Sequence, residues 1–392
     1  MLLFSKPQPL AHANRVRGPS TMRSINDFVS QRAHNVDASG IRKVFDLAAK
    51  LKDPINFSIG QPDFDVPQPC KAAAIDAINA GNNRYTQSQG IAPLRERIHK
   101  DLSAELGRDC GDVYITSGVS GGLLLAILAI INPGDEAVCI DPYFVMYKHL
   151  LTMADGKLTA VDSYPDFRFH ADRVEKAITP RTKVLMLNSP CNPTGAVMSN
   201  QEVEAAVALA KKHDLIILSD EIYEPFMYDG GTESPAKLYD RTIVLRGYSK
   251  SHAMTGWRLG YAAGPTELIQ QMVKLQQYTF VCAPAPLQYA ALKAHDVSMA
   301  DASAAYKRKR DLVYSKLSSA FEVVKPQGAF YIFPKAPKGL TATEFCAKAI
   351  ERNVLMIPGN VFSARDTHFR ISYATTDAKI TEGCDILCDL VK

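Results

Sequence analysis

Short apolar runs rich in β-branched residues alternate with longer amphipathic stretches between residues 113 and 259. Short runs of this kind favour strands, whereas apolar positions that repeat with the helical period favour helices. A parallel sheet that is buried on both faces by helices produces this rhythm. The pattern predicts strands at 113–116, 136–140, 183–187, 215–218 and 243–245, and a helix at 201–213.

The chain beyond residue 265 has a different pattern, with longer helical segments and isolated strand-like runs. Helices are predicted over 265–278 and 342–353, a proline-containing turn over 282–286 that precedes another helix, and strands over 328–333 and 368–373. This order is typical of an α+β unit. We therefore predict a large domain over 61–282 and a small C-terminal domain over 283–392, which the segment 25–60 joins. Residues 1–24 are predicted to be a disordered extension.

The composition is that of a globular chain of two or more domains, with 392 residues, 46% of them hydrophobic and 22% charged. The net charge is only +4, and no Lys/Arg block interleaves with aromatic residues, so nucleic-acid binding is not expected. The longest apolar run, 123–131, is too short to span a bilayer and predicts a buried helix. Neither nucleic acid nor a membrane is therefore an expected partner.

The cysteine pattern favours a reducing compartment. Eight cysteines are present without any Cys-x-x-Cys pair, and several lie inside apolar runs, so the expected location is the cytoplasm. Cys384 and Cys388 are one helical turn apart, but neither His nor a further Cys surrounds them, so no metal site is expected. Residues before Met22 carry basic but no acidic side chains, which fits an upstream start codon or, as the alternative, an organelle-targeting peptide.

The clearest chemical signal comes from Lys250, which lies in a turn of small residues after the predicted strand 243–245. Arg258 follows eight positions later. A lysine amine can condense with an aldehyde, and a guanidinium can bind a phosphate through two hydrogen bonds. The pair therefore predicts a Schiff-base site for a phosphorylated aldehyde cofactor.

Three further strand ends carry polar groups, and the carboxyl ends of parallel strands meet at one edge of a sheet. Residues 117–122 form a Gly-rich turn before a helix, which is either an anion cradle with the Ser120 hydroxyl or an ordinary turn. Prolines within 188–195 restrict the backbone, so the Asn192 amide is either held towards the sheet edge or part of a plain turn. Asp220 ends a buried strand and needs a cation there, for which a protonated pyridine ring is suitable.

Six motifs follow one another in the order found in one enzyme family. They are GQPDF at 60–64, RYTQSQGIAPLR at 84–95, NPTG at 192–195, SDEIY at 219–223, SKSHAMTGWRLGY at 249–261 and FRIS at 369–372. From residue 25 to the C-terminus the chain resembles the class I pyridoxal-phosphate-dependent aminotransferases of the aspartate aminotransferase superfamily. The resemblance implies fold type I, in which a large α/β domain has a mainly parallel sheet of seven strands between helices, beside a smaller α+β domain.

The resemblance also implies a role for each matched residue. Lys250 would bind the aldehyde of pyridoxal 5'-phosphate and move protons, Asp220 would pair with the pyridine nitrogen, and Tyr223 would contact the phenolic oxygen. Phe144 takes the ring-stacking position, where many relatives have Trp or Tyr. The implied cofactor contacts are Val119, Ser120, Gly121, Phe144, Asn192, Asp220, Tyr223, Ser249, Lys250, Arg258 and Tyr85, the last from a neighbouring subunit of a homodimer. The implied substrate contacts are Gly60, Asn192 and Arg370, with Arg370 on the α-carboxylate.

Three functions are compatible with these residues. The first is an aminotransferase that moves an amino group from an L-amino acid to a 2-oxo acid such as 2-oxoglutarate by a ping-pong mechanism. The second is a β-lyase that cleaves a carbon–sulfur bond on the same fold. The third is a binding module that retains the fold, against which the intact Lys250 and Asp220 argue. The expected partners are small amino acids, 2-oxo acids and a second copy of the chain.

Three details stay open at this stage. His252 is a base or a packing residue, and we favour packing because Lys250 already fills the role of base. Arg370, considered without the resemblance, is typical of a surface strand. Dicarboxylate-specific relatives use a second arginine that has no identifiable counterpart around 281–286, and the segment 278–282 is apolar and aromatic. Aspartate, aromatic amino acids, alanine, methionine and kynurenine are therefore all possible donors.

Overall fold

The computed structural model describes residues 22–37, 40, 44 and 51–392. The predicted extension 1–24 lies outside these residues except for its last three positions. The described strands are β1 Ile55–Asn56, β2 Asp112–Thr116, β3 Glu136–Asp141, β4 Lys157–Asp162, β5 Thr182–Asn188, β6 Ile216–Asp220, β7 Thr242–Gly247, β8 Gly260–Gly264, β9 Tyr331–Ile332, β10 Val354–Leu355, β11 Ile357–Pro358 and β12 Phe369–Ser372. The described helices are α1 Gln31–His34, α2 Gln68–Asn79, α3 Ala92–Leu106, α4 Gly118–Ile130, α5 Met146–Met153, α6 Ala171–Ala177, α7 Asn200–Lys212, α8 Tyr248–Ser251, α9 Thr266–Gln276, α10 Ala285–Ala294, α11 Ala300–Leu317, α12 Ala342–Glu351 and α13 Asp377–Asp389.

The main sheet has seven strands in the order β2-β8-β7-β6-β5-β3-β4. Every neighbouring pair is parallel except the two pairs of β8, which runs antiparallel to β2 and β7. The mainly parallel α/β sheet predicted from the sequence is thereby confirmed. The apolar pattern did not predict β4, which is a largely exposed edge strand, or β8, which consists mostly of Gly and Ala.

The sheet is buried on both faces because its central strands are apolar at successive positions. Along β5, Val184 and Met186 join the core on one face, and Leu185 and Leu187 join the core on the other. Helices α4, α5 and α9 contribute to the first core, and α6 and α7 contribute to the second. α7 begins with a capping box in which the Ser199 hydroxyl accepts from the Glu202 amide and the Glu202 side chain accepts from the Ser199 amide.

The C-terminal part contains a small antiparallel sheet in the order β11-β12-β9. β1, near the start of the described chain, pairs parallel with β10 in this part. The strand predicted over 328–333 is reduced to β9, because Ala329 adopts φ 54°, a left-handed conformation that ends an extended segment. The domain boundaries stay a prediction. Within 51–392 and the short described segments before it, no helix is both long and apolar enough to cross a bilayer.

The topology gathers several chain segments at one edge of the main sheet. β2, β5, β6 and β7 are mutually parallel and end there, and β8 begins there because it is antiparallel, with Gly260 opposite both Thr116 and Gly247. Residues at or just after the ends of β2, β5, β6 and β7 are therefore close in space to residues just before β8. Lys250, Asp220 and Arg258 all occupy such positions.

A buried ion pair joins β6 and β7 beneath this edge. Arg246 Nε donates to Glu221 Oε2 at 2.8 Å, and its two terminal nitrogens donate to the Glu105 carboxylate at 2.7 and 2.6 Å. The hydroxyls of Ser219 and Ser234 donate to Glu221 Oε1 at 2.8 and 2.6 Å. Removal of the arginine would leave the Glu221 charge buried without a cation.

We predict that Arg246→Met lowers the free energy of unfolding by about 3–5 kcal/mol, the usual cost of an uncompensated buried charge. Adding Glu221→Gln to this variant should recover part of the loss, because the remaining charge is removed. The matched control is Arg241→Met, whose pair with Asp214 is exposed and should be worth less than about 1 kcal/mol. Urea denaturation measures all three variants, and equal losses for the two Arg→Met variants would contradict the prediction.

Candidate active site

A cavity of about 210 Å³ lies at the carboxyl edge of the sheet. Most residues singled out from the sequence line it, although they are far apart in the chain. From the predicted set the lining includes Gly60, Val119, Ser120, Phe144, Asn192, Asp220, Tyr223, Ser249, Lys250, Arg258 and Arg370. The cavity therefore brings together an amine, a carboxylate and two guanidinium groups.

Lys250 is held by the one-turn helix α8, which follows directly on β7. Its Nζ donates to the Gly60 carbonyl at 2.5 Å. Burial lowers the pKa of Lys250 to about 8, and the positive charges of Arg370 and Arg258 act in the same direction while Asp220 opposes them. A larger fraction of this amine is therefore neutral and nucleophilic near neutral pH than for an exposed lysine.

Asp220 ends β6 and is almost completely buried, with 3% of its surface exposed. The Tyr147 hydroxyl donates to Asp220 Oδ2 at 2.8 Å, and the Ile222 amide donates to Oδ1 at 3.4 Å. Burial raises the pKa of Asp220 to about 6 against the effect of these hydrogen bonds. No ion pair joins Asp220 to a cation of the described residues, so a cationic group in the cavity would relieve the cost of its burial.

The start of α4 forms the part of the cavity that suits an anion. No side chain caps this helix, so the amide groups of its first turn, including those of Val119 and Ser120, lack intrahelical partners. Gly118 has φ 68°, and a Cβ there would lie 2.6 Å from Arg258 Nη2, so glycine lets the guanidinium approach the helix start. Arg258 itself adopts φ 58° and donates from Nη1 to the Thr255 carbonyl at 3.0 Å.

Arg370 on β12 reaches the opposite side of the cavity and is 1% exposed, which corrects its interpretation as a surface strand residue. Its Nη1 donates to Asn192 Oδ1 at 2.9 Å, and its Nη2 donates to the Ser58 carbonyl at 2.6 Å. The guanidinium also lies over the rings of Tyr331 and Phe362, at 4.6 and 4.9 Å from their centres. Its Nε has no acceptor, and no carboxylate of the described residues pairs with it.

Asn188 connects the Asp220 and Asn192 segments of the site by hydrogen bonds. Its Nδ2 donates to the Asp220 carbonyl at 2.9 Å, and its Oδ1 accepts from the Asn192 amide at 2.9 Å. These bonds hold Asn192 at the sheet edge, as one of the two sequence interpretations predicted. The hydroxyls of Tyr223 and Tyr331 lie 2.7 Å apart at the same edge.

Two predicted site residues do not line the cavity. Gly121 is buried in the first turn of α4, and Tyr85 is 85% exposed. Sequence reasoning also missed residues that the structure places at the site, namely Tyr147, Asn188, Thr255, Tyr331 and Ser58. Thr255 lies inside the motif at 249–261, Asn188 begins the proline-containing segment 188–195, and Ser58 lies two residues before the motif at 60–64, so these three had a usable sequence signal. Tyr147 and Tyr331 lie in apolar stretches without one. The roles of all these residues stay predictions.

Other polar features lie away from this cavity. A groove of about 570 Å³ is lined by residues around Arg108 and Thr242 at the opposite edge of the sheet. His99, Asp109 and Cys110 are the one group of potential metal ligands found within the described segments. Asp109 Oδ1 already accepts from the Gly111 amide at 2.9 Å, and burial raises the pKa of the Cys110 thiol, which disfavours the thiolate that binds metal.

Comparisons with known proteins agree on one family. The sequence matches the family model for aminotransferase class I and II over residues 52–387. It is 38% identical to a probable aspartate aminotransferase of Methanocaldococcus jannaschii over 93% of this chain and 100% of that protein. It is 38% identical to aromatic-amino-acid aminotransferase 2 of Thermococcus litoralis over 93% of this chain and 98% of that protein. The solved structure of a Thermus thermophilus aspartate aminotransferase with maleate superposes with a TM-score of 0.87 at 33% identity, covering 94% of this chain and 100% of that one.

The pKa of Asp220 predicts a pH-dependent stability of the ligand-free chain. The folded pKa of about 6 lies above the ordinary 3.8, so ionisation opposes folding: the cost is absent below about pH 4, grows between pH 4 and 6, and is complete above it. Asp220→Asn keeps an acceptor for the Tyr147 hydroxyl and removes the charge. It should raise the free energy of unfolding on the order of 1–3 kcal/mol at pH 7 and leave it unchanged at pH 4.

Thermal or urea unfolding across this pH range measures the effect. The exposed Asp240→Asn is the matched control and should change stability by less than about 0.5 kcal/mol at either pH. A gain for Asp220→Asn that is the same at pH 4 and pH 7 would show that the buried charge is not its source.

Proposed function

Because the chain belongs to the class I and II aminotransferases, it transfers amino groups, and we propose that pyridoxal 5'-phosphate bound around Lys250 is its cofactor. The donor set of the cavity fits this group. Amide groups at the start of α4, with Ser249 and Arg258, suit the phosphate, and Asp220 suits a protonated pyridine nitrogen. When bound, the cofactor supplies an aldehyde that carries the amino group and a ring that accepts electrons from the substrate α-carbon.

The chain's own residues have distinct tasks in this proposal. Lys250 Nζ would hold the cofactor through its aldehyde carbon, and the amine, once the substrate amine has displaced it, would take the proton from the substrate α-carbon and pass it to the cofactor. Asp220 keeps a proton on the ring nitrogen, where negative charge develops during the reaction. Tyr223 and Asn192 would hydrogen-bond the phenolic oxygen, and the Phe144 ring would support the cofactor ring.

Arg370 is the proposed receptor for the substrate α-carboxylate. Its buried Nε lacks an acceptor, and it has no carboxylate partner among the described residues. A substrate carboxylate would accept a hydrogen bond from Nε and neutralise the guanidinium charge. Its two oxygens match the two parallel donors that a guanidinium offers. Gly60 lines the same part of the cavity, where a Cβ would lie 2.2 Å from the Tyr331 hydroxyl.

The observation that carries this proposal is the convergence of Lys250, with its lowered pKa, and the unpaired Asp220 and Arg370 in one cavity. We predict that Lys250→Ala abolishes formation of glutamate from 2-oxoglutarate and an amino-acid donor, because no other lysine of the described residues lines the cavity. The exposed Lys274→Ala is the control and should retain wild-type turnover.

A coupled glutamate assay measures both variants. Multiple turnovers by Lys250→Ala at a rate near that of the wild type would refute the role of this lysine. Release of ammonia and pyruvate by the wild type without any 2-oxo acid would instead support the β-lyase function.

We propose aromatic and other apolar L-amino acids as the preferred donors. Lys250, Arg258 and Arg370 are the cations of the described lining, and each already has a proposed partner. None is left for the second carboxylate of aspartate. The other lining residues that could meet a substrate side chain are largely apolar or aromatic, namely Leu123, Phe144, Ile222 and Tyr331.

The expected result is a kcat/KM for phenylalanine at least about tenfold above that for aspartate, a difference of about 1.4 kcal/mol in transition-state binding. A donor screen with 2-oxoglutarate held as the acceptor measures it. Higher kcat/KM for aspartate would mean that a cation outside the described lining, such as one from a second subunit, completes the pocket.

We propose that the active form is a homodimer in which Tyr85 serves the phosphate site of the other subunit. Tyr85 and Tyr278 are 85% and 84% exposed in the single chain, which leaves both rings available for contact with a second subunit. Gln276 Nε2 donates to the Ser88 carbonyl, which ties the two loops that carry these tyrosines to each other. A two-fold axis at this surface would cover both rings and exchange the same residue between the two sites.

A further inference from the structure

The turn that carries Lys250 is supported by side chains that the proposed reaction does not use. α8 is a single turn, Tyr248–Ser251, and so short a helix cannot fix its own position through backbone hydrogen bonds. Lys250 lines the site cavity, whereas Tyr248 and Ser251 line a separate cavity of about 140 Å³. Contacts on this second side must therefore determine where α8 stands.

Tyr248 begins a hydrogen-bonded chain that ends at helix α3. Its hydroxyl lies 2.8 Å from His295 Nε2, and His295 Nδ1 lies 2.8 Å from Asp101 Oδ2. Because an ionised carboxylate only accepts, Nδ1 carries the hydrogen and Nε2 accepts from the Tyr248 hydroxyl. Arg97 Nε donates to Asp101 at 2.8 Å, and its Nη2 donates to the His295 carbonyl at 2.9 Å.

His252, which directly follows α8, makes a second connection. Its Nε2 donates to the Ala294 carbonyl at 3.1 Å, at the end of α10, so its Nδ1 accepts from the Ser251 hydroxyl at 2.8 Å. Burial lowers the pKa of His252 to about 4, so the ring is neutral near pH 7, as both bonds require. The structure thus places His252 in packing contacts away from the cavity.

The hydrogen bonds above and contacts of the buried Tyr248 ring with His252, Tyr261 and His295 hold this side of α8. The cavity of about 140 Å³ is lined by Tyr248, Ser251, His252 and His295, so these side chains have free volume beside them. A turn with free volume next to it can shift when its hydrogen bonds are lost, whereas a densely packed one cannot.

We propose that Tyr248, His252 and His295 are positioning residues, which fix α8 against the end of α10 and thereby set where Lys250 Nζ stands in the cavity. This inference rests on the proposed function, since it concerns the proton transfer assigned to Lys250. A displacement of about 1 Å can lower the rate of a catalysed step by about 10²-fold. Tyr248 does not line the site cavity, so an effect of its hydroxyl on turnover would act through Lys250.

The test compares two Tyr→Phe variants. Tyr248→Phe removes one buried hydroxyl behind Lys250, and Tyr239→Phe removes one buried hydroxyl that donates to the Leu215 carbonyl at 3.0 Å, beside the groove at the opposite edge of the sheet. Each variant is characterised in two ways. Steady-state kinetics give kcat and KM with a donor and an acceptor. Acetylation of Lys250 by acetic anhydride in cofactor-free protein, quantified by mass spectrometry across a pH series, gives the pH midpoint of its reactivity.

We expect Tyr248→Phe to lower kcat by about tenfold or more while KM changes by less than about threefold, because Arg370 is untouched. Its acetylation midpoint should move from about 8 towards 10.5, because a displaced amine is better solvated and further from Arg370 and Arg258. Tyr239→Phe should keep the wild-type kcat and midpoint.

Identical kcat and midpoint in the two variants would overturn the inference while leaving the proposed function intact. Absence of transamination in the wild type, or full activity of Lys250→Ala, would instead overturn the proposed function. Should Tyr248→Phe fail to fold, His295→Gln applies the same test, because it replaces the half-buried middle member of the hydrogen-bonded chain. It must then lower kcat and raise the acetylation midpoint, as expected for Tyr248→Phe.

Discussion

Burial of charge without an internal partner is the constraint on which this structure depends. Lys250, Asp220 and Arg370 line one cavity, and no ion pair between described side chains neutralises any of them. Desolvation of such groups opposes folding and shifts their pKa values in the direction that favours the uncharged form. The rest of the fold must offset that cost, and it does so through a sheet that is apolar on both faces and helices that are capped by their own side chains.

The same burial makes the site suitable for a ligand that carries both a cation and an anion. The pKa of Asp220 is about 6, so the carboxylate is mostly ionised near pH 7 yet gains strongly from a nearby cation. The pKa of Lys250 is about 8, so a useful fraction of its amine is neutral at the same pH. A ligand that brings both a cation and an anion therefore stabilises the fold as well as completing the site, because it binds only the folded chain.

The sequence predicted the parts of this arrangement that depend on local pattern. Five apolar runs became strands β2, β3, β5, β6 and β7, and the polar residues at their ends met at one edge because parallel strands align their carboxyl ends. The direction of β8 could not be predicted, since a run of Gly and Ala carries little strand signal, yet only its antiparallel course returns Arg258 to that edge. Tyr147 and Tyr331 escaped notice for another reason: each makes its hydrogen bond to a residue more than 70 positions away, and no local pattern encodes such a bond.

Two buried arginines, Arg246 and Arg370, differ in whether the chain itself pairs their charge. Arg246 is paired with two carboxylates, and every donor and acceptor around Glu221 is satisfied within the chain. Arg370 is buried more completely, yet it is left with a backbone carbonyl, an amide oxygen, two aromatic rings and one nitrogen without an acceptor. Since burial is costly for both, the difference lies in the source of the partner: the fold supplies it for Arg246, whereas for Arg370 we propose that a ligand supplies it.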